Sequence, residues 1–296
     1  MSGVGYYTVR HQGIGTPTWV ASRRRNSPGK TPSSIELYHE NRADSDLFSV
    51  ASQIGVRGKH VAPEATPGEH RPDWQFRERT RISVNAVISP LILASGSPRR
   101  RALLAELGLP FRVVISDVPE DTDPDLPPEI QAIVLAERKA HAVASKLESG
   151  IVIGADTIVS LDSEMLGKPA NDADAIRMLR RLSGREHDVV TGIAVIDAAT
   201  GSSFLSAVNS VVRMRTLSDG EIRRYVATEE PRDKAGAYAI QGHAAEFVSK
   251  LDGCFTNVVG LPLCETAQML RDAGVMTTGA WRGCHLPDGA PCPRQD

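Results

Sequence analysis

LILASGSPRRRALLAELG, residues 91–108, holds the corner on which the fold is decided. Leu91–Ala94 is a short apolar run of the kind that forms a buried strand. Ser97 is a good N-cap, Pro98 suits the first helical position and Gly108 is a stop, so a helix is predicted over Pro98–Leu107. Arg99, Arg100 and Arg101 then occupy its first turn, at the positive end of the macrodipole, where a cation is disfavoured by about 0.3–1 kcal/mol. A bound anion resolves the conflict. A strand, a loop of small residues (Ser95, Gly96, Ser97) and a helix N-terminus together offer free backbone N–H groups to a polyphosphate, and arginines beside them become its bidentate partners. Successive helical residues diverge by about 100°, so at most two of the three arginines share one site. Arg99 and Arg100 are assigned there, and Arg101 to solvent. No GK[ST] follows, which excludes a Walker loop.

Outward from this corner the pattern stays regular. A second strand is predicted over Phe111–Ser116, then an acidic, proline-rich loop, DVPEDTDPDLPPE, then a helix over Glu129–Leu147. Ile151–Ile153 reads as a buried strand ending in GADT. Asp172–Leu182 reads as a helix stopped at Gly184. Val189–Ile196 and Phe204–Met214 read as antiparallel strands, and Ser218 as the cap of a helix holding Ile222 and Tyr225. A short strand over Phe247–Lys250 and a helix over Leu263–Leu270 complete the series. This order predicts an α/β domain, 88–275, around one mixed sheet flanked by helices.

The flanks differ. Residues 1–87 are rich in Gly, Pro, Ser, Arg and His, and carry 12 Lys and Arg against 8 Asp and Glu. That balance of +4 leaves −6 to the remainder of a chain whose net charge is −2. With little to bury, this stretch is expected to be a disordered extension, dispensable or an artefact of the start codon. A nucleic-acid-binding or partner-binding arm is the competing reading. Residues 276–296 are expected to form a poorly ordered tail. The charge balance gives no whole-chain case for nucleic acid or an anionic membrane. Arg23–Arg25 are followed by no apolar segment, so no twin-arginine leader is read, and a soluble, cytoplasmic protein is expected. Cys254, Cys264, Cys284 and Cys292 include no CxxC pair and no disulfide framework is expected of them, while Cys284-His285, a candidate for a metal site, lacks matching ligands at zinc-site spacing.

Two further stretches carry chemistry. In IVIGADTIV, Asp156 lies where a strand runs toward the sheet's carboxyl edge, the usual place for ligands in open α/β sheets. It is suited to deprotonating water or to holding a divalent cation. Lys168 of the following LGKP is a compact charge for a phosphate oxygen, and Glu120 and Lys139 are positioned to complete a charged cleft. In EPRDKAGAYAIQG, Lys234 adds a cation, and the Gln241 carboxamide complements the carbonyl–NH–carbonyl edge of uracil or thymine. Each of these has an ordinary reading as a turn, surface or loop-stabilising residue.

LILASGSPRRRALL, VIGADTIV…LGKP, LSGREHDVVTG, EPRDKAGAYAIQG and NVVGLPL occur in the order found in the Maf family of nucleoside triphosphate pyrophosphatases, which the chain resembles over about residues 88–272. The resemblance implies a mixed α/β, Maf/ITPase-like fold with a deep cleft between two lobes, usually as a homodimer. It implies cleavage between the α and β phosphates with Mg²⁺ or Mn²⁺. It makes Asp156 the proton acceptor, with Glu120 and Asp156 the metal candidates. Substrate choice falls to Arg99, Thr157 and Gln241, and phosphate binding to Ser95, Arg100, Lys139, Lys168 and Lys234. GADT with AYAIQG looks like the subgroup acting on dTTP and UTP, whereas Gln at position 157 would have pointed to methylated guanine nucleotides. The expected function is therefore a house-cleaning dTTP/UTP pyrophosphatase that also reaches modified pyrimidine nucleotides. The alternative is a nucleotide-binding regulator of cell division with little hydrolysis.

Overall fold

The computed structural model describes residues 89–275, 283–286 and 292, together with the backbone of three short strands at 7–11, 19–21 and 37–39. The expectations for the rest of 1–87 and of 276–296 lie outside the described residues. In chain order the elements are β1 (Tyr7–His11), β2 (Trp19–Ala21), β3 (Leu37–His39), β4 (Leu91–Leu93), α1 (Pro98–Ala105), β5 (Phe111–Val113), α2 (Pro128–Ala144), β6 (Ile151–Leu161), β7 (Glu164–Leu166), α3 (Asp172–Leu182), β8 (Glu186–Asp197), β9 (Ser203–Met214), α4 (Asp219–Val226), β10 (Val248–Asp252), α5 (Phe255–Val259) and α6 (Leu263–Asp272).

An eight-stranded mixed sheet runs β1-β9-β8-β6-β4-β5, with β10 also on β9 and β7 also on β6. β4 is parallel to both β5 and β6, and the remaining pairs are antiparallel. β2 and β3 form a separate antiparallel pair. Side chains alternate across the pleat, so Leu91 and Leu93 enter one core with α1, α3, α4 and α6 while Ile92 and Ala94 enter another beneath α2. Burial on both faces is why these strands read as unbroken apolar runs.

Strand bounds differ from those expected: β5 stops at Val113 rather than Ser116, β8 starts earlier at Glu186, and the largest change is in β6. β6 continues through GADT to Leu161, so Asp156 is not at a strand end but in the middle of eleven residues, opposite Gly192 of β8. The parallel pairing with β4 stops at Ile153, however, and Asp156 therefore projects just past the carboxyl end of the parallel portion. Pairing with β8 on the opposite edge of β6 continues through Ser160 and carries the strand onward, a tertiary pairing that local sequence does not display.

The seat of α2 sets the site. Ala132, Ala136 and Ala140, spaced by four, give this helix a flat face with no exposed surface. It lies directly on strand backbone: a Cβ at Gly154 would come 2.1 Å from the Ala136 carbonyl oxygen, and one at Gly192 would come 2.2 Å from the Ala132 carbonyl. Neither contact can relax by turning a side chain. Gly192→Ala is expected to lower unfolding free energy by about 2–3 kcal/mol in urea titrations. Gly220→Ala, near the start of α4 with only the end of the Arg224 side chain in reach, is expected to be neutral or stabilising. Equal effects of the two would contradict the close seat.

Candidate active site

The β4–α1 corner forms as its residues dictate. Ser97 caps α1 by accepting the Arg100 N–H at 3.4 Å, and the Ser97 N–H is in turn directed at Ser95 Oγ at 3.3 Å. Arg100 turns inward and is gripped along its length. Its Nε donates to the Gly260 carbonyl at 2.8 Å, Nη2 to Thr157 Oγ1 at 3.0 Å and Nη1 to Ser95 Oγ at 3.4 Å. Thr191 Oγ1 donates to the Asn257 carbonyl, so the 3.0 Å contact between the two threonines is made by Thr157 donating to Thr191. The protons thus run one way from Arg100 to the backbone. Burial draws the Arg100 guanidinium below its ordinary value, and Asp156 opposes that effect. Arg99 makes no hydrogen bond or ion pair among the described residues, and Arg101 is exposed.

On the opposite wall, α2 delivers Lys139, whose side chain is 9% exposed. Its Nζ donates to Asp156 Oδ1 at 2.5 Å and to Glu120 Oε1 at 2.6 Å, joining two carboxylates through one ammonium. The acidic loop that brings Glu120 is tied to α2 by Arg138, which donates to the carbonyls of Pro119 and Asp121, and by Gln131, which donates to that of Leu126. Glu120 is the acid of this loop that lines the cleft, and Asp117, Asp121 and Asp123 do not. Its carboxyl is held below the ordinary glutamate value, chiefly by the hydrogen bond from Lys139. Lys168 stands 3.7 Å from Glu120 Oε2.

Lys234 and Gln241 come from a chain of 3₁₀ turns at Glu230–Asp233, Ala235–Ala237 and His243–Phe247. Lys234 pairs with Asp233. Gln241 is exposed at the cleft and makes no hydrogen bond among the described residues. The segment is held from behind: Glu230 accepts from Tyr225 Oη at 2.9 Å and from the His243 N–H at 3.2 Å, while Tyr225 Oη accepts from the Ala239 N–H at 3.2 Å.

All ten side chains singled out in the sequence therefore line one cleft of about 770 Å³: Ser95, Arg99, Arg100, Glu120, Lys139, Asp156, Thr157, Lys168, Lys234 and Gln241. Five cations face three carboxylates there, the third being Asp233. Glu120 and Asp156 offer hard oxygen donors that already converge on one cation, the Lys139 ammonium, and this donor set fits Mg²⁺ or Mn²⁺.

Residues 90–273 match the model of a family described as Maf-like protein. The chain belongs to the Maf family. A Maf relative from Pelotomaculum thermopropionicum, named dTTP/UTP pyrophosphatase, is 52% identical over 184 residues, which span 62% of this chain and 96% of that protein. One of the same name from Geobacter metallireducens is 51% identical over 188 residues, 64% of this chain and 98% of that one. A solved dITP/XTP pyrophosphatase from Mycobacterium abscessus is matched at a TM-score of 0.29 and 13% identity, over 43% of this chain and 75% of that one, too slight a likeness to carry an inference.

Sequence reading missed the residues that hold this site from behind. Thr191 and Gly260 lie inside the Maf motifs but touch Arg100 and Thr157 only through the fold. Tyr225 was read only as a residue of the α4 helix, and Glu230 carried no local signal of its task. Lys139→Gln removes the cation shared by Glu120 and Asp156. In wild type the Glu120 carboxyl should titrate below the unperturbed value of about 4.3, so its favourable contribution is lost only as pH falls through that lower midpoint. In the variant the midpoint should rise to that value or above it. Carbon-detected NMR titration, assigned with Glu120→Gln, reads both; an unchanged midpoint would show that Lys139 does not control the carboxylate.

Proposed function

We propose that this chain hydrolyses dTTP and UTP between the α and β phosphates, releasing the monophosphate and pyrophosphate. The observation that carries the reading is the pairing, within one cleft of nucleotide size, of a cation-lined helix N-terminus with a carboxylate opposite it. The names of the half-identical relatives support the same reaction.

In this reading the triphosphate lies along the β4–α1 corner. Arg99, which has no partner among the described residues to surrender, Lys168 and Lys234 neutralise its oxygens, and Arg100, already desolvated and fixed by neutral acceptors, adds a preorganised fork. Asp156 spends Oδ1 on Lys139; its Oδ2, which makes no hydrogen bond among the described residues, receives the proton of the water that attacks the α phosphorus. Pyrophosphate leaves toward the lysines. Lys139, donating to Oδ1, keeps Asp156 aimed. A divalent ion held by Glu120 and Asp156 would supply further neutralisation of the phosphates. Gln241 reads the pyrimidine edge, and Thr157 orients Arg100.

The enzyme would act on the nucleotide pool of the cytoplasm, and no helix among the described residues is long and apolar enough to cross a membrane. A homodimer belongs to the same proposal; exposed Val113, Val114 and Ile115 on and beyond edge strand β5 are an apolar strip of the kind that subunit contacts cover. The domain is taken as 88–275, with an extension before it and a tail behind.

Pyrophosphate release is to be measured over a panel of natural and modified nucleoside triphosphates. dTTP and UTP should lead, which separates an enzyme from a regulator that only binds. Asp156→Asn should lose about 10²–10⁴ in turnover. Gln241→Ala should cut the preference for dTTP and UTP over dCTP about tenfold while sparing triphosphate affinity. Wild-type turnover by a folded Asp156→Asn protein would refute the mechanism.

A further inference from the structure

Far along the chain from the cleft residues, four cysteines that share no sequence motif meet in space. Cys254 precedes α5, Cys264 lies in the first turn of α6, and Cys284 and Cys292 come from beyond residue 273, where the family match ends. The sulfurs of Cys254, Cys284 and Cys292 all lie within 4.8 Å of one another, and those of Cys254 and Cys284 are 3.9 Å apart. The sulfur of Cys264 is 3.1 Å from that of Cys284. Cys254, Cys284 and Cys292 are buried and Cys264 is half-buried. Intervals of nine, nineteen and seven residues hide a convergence made by tertiary structure.

From this geometry we infer that Cys254, Cys264, Cys284 and Cys292 form a tetrahedral four-thiolate site for a structural zinc ion, which clasps the C-terminal segment to α5 and α6. Zn–S bonds of about 2.3 Å put tetrahedral sulfurs about 3.8 Å apart, the separation already present between Cys254 and Cys284. Closing the set asks the Cys264 sulfur, which lies outside the group within 4.8 Å, to withdraw from Cys284 by about 0.7 Å and to swing toward the other two sulfurs. Soft sulfur donors select zinc over the hard cations suited to the cleft. The surroundings fit a ligand set rather than casual packing. The backbone N–H of Cys292 donates to the Cys284 carbonyl at 3.0 Å, pinning the two tail ligands together, and Thr256 Oγ1 lies 3.1 Å from the Cys254 sulfur. A divalent ion lets all four give up their protons to solvent together.

The site bears on the cleft through a short lever. Cys254 begins the segment that ends, six residues later, at Gly260, whose carbonyl holds Arg100. Thr256 Oγ1 accepts the Leu263 N–H at 3.1 Å, coupling α5 to α6. The metal would brace the support of the phosphate-binding arginine without touching substrate.

The test is the metal content of the full chain, purified reduced and without chelator, by mass spectrometry. About one zinc per chain is expected, retained through gel filtration, with all four thiols protected from alkylation until denaturation with a chelator removes the ion. Cys284→Ser and Cys292→Ser should each lose the zinc and melt lower. Should those variants fail to fold, exchange of wild type with Co²⁺ gives the readout, as the intense visible bands of tetrahedral cobalt thiolate. Three results would overturn the inference: metal-free protein with alkylatable thiols, a mass lower by two hydrogen atoms for each disulfide, or iron in place of zinc.

Discussion

Where α2 crosses the sheet, helix backbone rests on strand backbone with no side chain between, and the rest of the site depends on that contact. Gly154 and Gly192 remove the two Cβ atoms that would hold the layers apart, and Ala132, Ala136 and Ala140 supply a helix face flat enough to use the space. The residue before Ala140 is Lys139. A helix seated a side chain's thickness farther out could not bring that ammonium to both Asp156 and Glu120. Helix packing and catalytic geometry are therefore one constraint, and small residues remote from substrate govern charged ones beside it.

The cleft is electrostatically unfinished. Arg100 is fixed by a carbonyl and two hydroxyls, none of which cancels its charge, and Arg99 points into the same space with no partner among the described residues. Cations preorganised in this way are costly to the free protein and gain when a polyanion arrives. This answers the oddity of three arginines at a helix N-terminus. In the function proposed above two complete a phosphate site with the backbone N–H groups, and the third, Arg101, is exposed because helical geometry turns it away.

What could be read beforehand was whatever is encoded locally. The Ser97 cap, the α3 boundaries, the β8–β9 hairpin and the Ser218 cap each rest on a few neighbouring residues, and the structure has them there. Eight of the ten cleft residues were nameable because motifs carry them, and Glu120 and Lys139 because an acidic loop and the helix after it stand between those motifs. The contacts that make them a site were not, being set by partners distant in sequence. β6 outruns its expected end because β8 pairs with it. Thr191 and Gly260 matter through Arg100, which lies 160 residues from Gly260. Glu230 and Tyr225 matter through the backbone of the Gln241 loop. The cysteines make the same point most sharply, since no spacing rule joins residues that only the fold brings together.

The central claim is that Asp156 directs water at the α phosphorus while the arginine corner and the lysines hold the phosphates that leave. Hydrolysis of dTTP in ¹⁸O-enriched water, with both products analysed by mass spectrometry, examines it most directly. Attack at the α phosphorus places one heavy oxygen in the monophosphate and none in pyrophosphate. Label in pyrophosphate, or release of inorganic phosphate as the primary product, would mean that the nucleotide lies differently in the cleft and that the account is wrong.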